Sequence, residues 1–88
     1  MARLDVMDGD IATLGAANAS GDVLFQLGMM YSNGTTVPAD YVSAHKWFNL
    51  AAMRGNKDAI RLRREIAEQM SEHEIAVAQR AARDWLRH

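Results

Sequence analysis

The histidines are the first place to look for proton transfer or metal binding, and their spacing supports neither. His45, His73 and His88 lie far apart in the 88 residues. Glu72 and Glu74 flank His73, but successive residues on a helix point apart, so the three do not converge. His73 reads as a solvated residue at a helix start. Cysteine is absent, which removes thiolate metal sites, disulfides and a cysteine nucleophile. Ser, His and Asp all occur, yet no nucleophile elbow places a serine for attack. Glu65 and Glu68 share a helix face, but Arg61 and Arg64 lie beside them, which indicates surface ion pairs rather than paired catalytic carboxylates. These patterns predict no enzyme, no metal and no cofactor.

The arginines are more suggestive. Arg80, Arg83 and Arg87 form a stripe at helical spacing, with Arg61, Arg63 and Arg64 on the preceding segment. Such a face could meet phosphate, with a salt-dependent affinity. It could equally be a solvated surface partly paired with Glu65, Glu68 and Asp84, or a candidate face for an acidic partner. The overall charge speaks against nucleic acid, since it is −1. That value conceals a polarity: residues 1–40 carry −4 and residues 41–88 carry +3.

The elements that must position these residues are helical. No run alternates apolar and polar residues long enough for a strand. No apolar run approaches the roughly 20 residues that cross a bilayer, and Asp5, Asp8 and Asp10 occupy the place of a leader's apolar core. A cytoplasmic protein with no membrane partner is therefore expected. A weak first segment runs from Asp10 to about Ala19, with Ile11, Leu14 and Ala17 on one side. A second runs from Asp22, as N-cap, to about Ser32. Leu24, Leu27, Gly28 and Tyr31 share its inner face, beside Phe25 and Met29. Gly28 costs a helix about 1 kcal/mol against Ala, so it implies close approach of another helix.

Asn33-Gly34 ends that helix, Val37 should anchor the connection in the core, and Pro38 should open the next helix. The third segment runs from about Ala39 to Arg54, with Tyr41, Ala44, Phe48 and Ala51 on one face, widened by Trp47. Gly55 follows as its terminator. The fourth runs from about Asn56 to Met70, with Ala59, Leu62, Ile66 and Met70 as its seam. Arg61/Glu65 and Arg64/Glu68 are its expected ion pairs. The fifth opens on the Ser71-x-x-Glu74 capping box and should bury Ile75, Ala78, Ala82, Trp85 and Leu86.

A loose internal repeat organises these segments. Gly21-Asp22 recurs as Gly55-Asn56, and Ala16-Ala17 is echoed by Ala51-Ala52. Between them stand Leu27-Gly28, Tyr31, Gly34, Val37, Asp40-Tyr41, Ala44, Trp47-Phe48, Ala51-Ala52, Gly55 and Ala59. In order and spacing this stretch resembles one unit of the Sel1-like repeat, a relative of the tetratricopeptide repeats. Met70-Ser71 and Ile75-Ala76-Val77-Ala78-Gln79 resemble the ending common in bacterial members. Thr36 stands where the family often has a second Gly, and Val23-Leu24-Phe25 replaces an Ala-rich approach to the first helix. Hydrolases described among Sel1-like proteins are cysteine-rich, which this chain is not.

The resemblance implies an all-α fold, a short right-handed stack of antiparallel helix pairs with four to five helices. It implies one domain over 1–88: a partial repeat or cap at 1–20, the repeat at 21–55 and a C-terminal capping helix pair at 56–88. The implied function is protein–protein interaction as an adaptor or scaffold, without cofactor. Phe25, Met29 and His45 are the candidate groove residues; Tyr31 and Trp47 are expected to be mainly structural. Met29, Met30 and Met53 could be core filler or an adaptable surface. Solenoids ordinarily need three units, so a homo-oligomer joined through exposed repeat ends is the first alternative. An arginine-faced nucleic-acid binder is the second.

Overall fold

The structure, a computed structural model, describes residues 20–34 and 36–87. The expected first segment, residues 1–19 of the partial repeat or cap expected at 1–20, the Ala16-Ala17 echo and His88 lie outside these residues. Four helices follow: α1 (Gly21–Asn33), α2 (Tyr41–Met53), α3 (Lys57–Ala67) and α4 (Glu72–Leu86). Among the described residues there is no strand, and the architecture is the expected all-α repeat fold.

Each helix starts on a side chain that satisfies an otherwise orphaned amide. Ser20 caps α1 by accepting from the Val23 amide at 3.1 Å. This corrects the expectation at Asp22, which instead lies in the first turn. Asp40 caps α2, accepting from the Ser43 amide at 3.2 Å and the Ser43 hydroxyl at 2.8 Å. Pro38 therefore precedes the cap and does not open the helix. Asn56 caps α3 through the Ala59 amide at 2.9 Å. Ser71 and Glu74 form the expected capping box, with Ser71 Oγ accepting from the Glu74 amide and Glu74 Oε1 from the Ser71 amide.

Gly34 ends α1 at φ 68°, in the left-handed region, and its amide returns to the Met30 carbonyl. Thr36 has no positive φ, so the connection turns without a glycine there. Asp40 donates its amide to the Tyr31 carbonyl at 2.9 Å, closing the connection onto α1, and Val37 is buried beneath it.

α1 and α2 are antiparallel. Gly21 lies against the Ala51 and Arg54 carbonyls, and Gly28 against the Phe48 ring. α3 runs antiparallel to α2 in turn, since Arg63 Nη1 donates to Asn49 Oδ1 at 2.7 Å and Tyr41 meets Gln69 near the end of α3. α4 rests on α2 through Trp85, whose ring meets Trp47 edge-on at 5.5 Å. α2 thus packs against all three other helices, and the main contacts of α3 and α4 are with α2.

This central position changes what α2 buries. The sequence indicated one apolar face; the structure also buries His45 and Leu50, beyond that face. The core joins Leu24 and Leu27 of α1, Ala44, Trp47, Phe48, Leu50 and Ala51 of α2, Ala59 and Ile66 of α3, and Ala82 and Trp85 of α4. Leu62 and Met70 pack against its edge, as do Tyr31, Tyr41, Met30 and Ala52. Leu86, expected in the core, is 43% exposed. Met53 is exposed as well, so it is not core filler.

Candidate protein-binding surface

An open groove of about 690 Å³ lies where the α1–α2 connection passes the start of α4. Its floor and walls come from Tyr31 at the end of α1, from Val37, Pro38 and Ala39 of the connection, and from Tyr41 and Val42 in the first turn of α2. Two carboxylates complete it, Asp40 from the α2 cap and Glu74 from α4. Both are held by the hydrogen bonds that start their helices. The acidic rim is consequently fixed by secondary structure, while the two tyrosines are held by packing against the core. Tyrosine combines a large apolar area with a polar tip at small conformational cost, which suits a recognition surface.

The residues that the sequence nominated for a groove lie elsewhere. Phe25 is half-buried, its ring 5.6 Å from that of Phe48. Met29 is half-buried against the core. His45 is only 3% exposed and therefore borders no open groove. It lies off the apolar face that the periodicity of α2 marks. Burial holds the His45 pKa below its ordinary value, and the Arg63 guanidinium pushes it further down. Its Nδ1 makes no hydrogen bond among the described residues.

Arg80, Arg83 and Arg87 are exposed along α4, and none forms an ion pair among the described residues. On α3, Arg61 reaches Glu65 at 3.3 Å and Asp58 at 4.0 Å, whereas Arg64 and Glu68 do not pair. No group of His, Cys, Asp or Glu among the described residues could hold a metal ion. No described helix is long and apolar enough to cross a membrane.

The signature residues act as scaffolding around this surface. Leu27, Gly28, Val37, Ala44, Trp47, Phe48, Ala51 and Ala59 are buried, while Gly34 and Gly55 take positive φ at helix ends. Asn56, the cap of α3, also donates through Nδ2 to Asp22 Oδ1 at 3.3 Å. These two residues are counterparts in the internal repeat, and their hydrogen bond ties the start of α1 to the start of α3.

An antiparallel helix pair closed by a left-handed glycine, with a third helix capped on the repeat-equivalent residue, is a unit of a helical-repeat protein. Residues 21–56 match the family model of the Sel1 repeat, so this part of the chain is similar to one Sel1 repeat unit. Sel1 repeats generally mediate protein–protein interaction. Comparison with curated proteins and with solved structures gave no match.

Proposed function

We propose that this chain is an adaptor or scaffold component that binds another protein in the groove between the α1–α2 connection and α4. The observation that carries this reading is the juxtaposition of Tyr31, Tyr41, Asp40 and Glu74 around one open groove. Its aromatic walls offer apolar area to a helix or an extended segment, and its carboxylates fix orientation by pairing with cations. A rigid rim also reduces the conformational entropy lost on association. The titratable groups support binding rather than catalysis: His45 is buried in the packing of α2, and the two groove carboxylates hold helix caps.

A photo-crosslinking amino acid in place of Val42, which lines the groove, tests this reading in cells. Light-dependent capture of a protein at position 42, lost on removing the Asp40 and Glu74 charges, is the expected result. Absence of any protein adduct at that position would overturn it.

A further inference from the structure

We propose that the occupant of the groove is the last turn of α4 from a second copy of this chain. The inference rests on the groove being the binding site, and adds the identity of what fills it. The complementary surface is on the same molecule. Leu86 is one of few large apolar residues exposed in the structure, at 43%. Arg83 lies three residues before it and Arg87 directly after it, both exposed and without ion pairs among the described residues. Residues three and four apart on a helix are neighbours, so Arg83 lies beside both Leu86 and Arg87, and the last turn carries an apolar plug on one flank of two guanidinium groups. Asp84 is exposed on the adjoining flank and pairs with neither.

The groove presents the inverse arrangement. Val37, Val42 and the tyrosine rings provide an apolar seat, and Asp40 and Glu74 stand on its rim. Guanidinium groups pair with carboxylates through two parallel donors, which fixes geometry as well as charge. Leu86 in the apolar seat, with Arg83 and Arg87 against Asp40 and Glu74, satisfies both halves at once.

The same chain cannot fill its own groove. Glu74 and Leu86 lie on one helix, twelve residues apart, a separation of about 18 Å at 1.5 Å per residue. The plug of one copy must therefore enter the groove of another. Each copy offers one groove and one plug, so two copies can exchange plugs as a closed pair or each can engage a different neighbour. In the second case copies extend in a row or close into a ring.

Sedimentation velocity of the whole chain, from micromolar to millimolar concentration and at low and high salt, tests the proposal. A weight-average mass that rises with concentration and falls with salt is expected. The decisive step uses two variants. Asp40→Asn with Glu74→Gln removes the rim charges yet retains residues that cap helices. Leu86→Ser with Arg83→Gln and Arg87→Gln removes the plug from an exposed helix face. Circular dichroism checks that both keep the parent helicity. Each variant alone should associate at least about fivefold more weakly than the parent chain. Mixed together, they should form a one-to-one pair that does not extend, because one copy keeps an intact plug and the other an intact groove. A parent chain that stays monomeric at millimolar concentration, or variants that fail to complement, would overturn self-docking.

The crosslinker at position 42 separates this failure from failure of the binding reading. An adduct with residues 83–87 of another copy supports self-docking. An adduct with a different protein overturns self-docking and leaves the groove as a binding site. No adduct with any protein overturns both.

Discussion

Replacing Gly28 with alanine sets two magnitudes against each other, and the structure decides the sign. In an isolated helix the change stabilises by about 1 kcal/mol, because alanine is the better helix former. At Gly28 the added Cβ would lie 2.4 Å from Phe48 Cδ1, 2.5 Å from Cε1 and 3.0 Å from Cγ. Ordinary contact begins at 3.4 Å, so the ring must withdraw by about 1 Å. Phe48 is fully buried, and the Phe25 ring stands on it at 5.6 Å, so it has little room to withdraw. Forcing atoms into a packed core costs about 1–3 kcal/mol, and displacing a central aromatic belongs at the upper end of that range. The expected net result is destabilisation by about 2 kcal/mol, or a Tm lowered by roughly 8–16 °C in a domain of this size. Thermal and urea unfolding followed by circular dichroism measure it. Phe48→Leu in the same chain should recover part of the loss, as a non-additive double-mutant cycle. A Gly28→Ala chain that melts higher than the parent would refute the reasoning, since propensity alone would then govern the position.

Three further outcomes follow from features of the fold. His45 is held below its ordinary pKa by burial and by Arg63, so the unfolded chain takes up the proton at higher pH than the folded one. Its contribution to stability is thus present above the unfolded value of about 6.5 and declines as pH falls through 6.5 toward the lower folded value. Urea midpoints of the parent chain and His45→Gln between pH about 8 and 5 should converge toward acid; parallel curves would exclude His45 as the cause. Gly34→Ala places a side chain at φ 68° and brings its Cβ within 3.3 Å of Ala39, and should cost about 1–2 kcal/mol in urea unfolding. Ser71→Ala should lose about 1 kcal/mol by opening the capping box of α4, with Ser71→Asp close to the parent.

Much of the fold was legible because its cues are local. Gly34, Gly55 and the Ser71-Glu74 box act within a turn of the residues they terminate or start, and the structure uses them as expected. Where two suitable caps lay close together, sequence could not choose. Ser20 prevails over Asp22 because its hydroxyl reaches the Val23 amide, which leaves Asp22 to accept from Asn56. Pro38 was overtaken by Asp40 in the same way. His45 was misplaced for a different reason. Helical periodicity locates one buried face, whereas α2 is covered by α1, α3 and α4. A signal existed in the composition of α2, whose 13 residues include a single lysine or arginine and no acidic residue. The groove was less accessible still. It joins residues 31–42 to Glu74, and no spacing in the chain encodes how α4 settles on α2.

The placement of α2 has a consequence for how the molecule comes apart. In a long array each unit leans on its neighbours through similar interfaces, so unfolding can begin at one end and advance stepwise. Here the principal contacts of α1, α3 and α4 converge on one helix. An outer helix can lift away while the rest stays assembled, but no order of events removes α2 without releasing the other three. The backbone amides of α2 therefore report the global opening of the described fold, and those of the outer helices can exchange through smaller excursions. A repeat architecture, ordinarily additive along its length, has become in this chain a hub with three spokes.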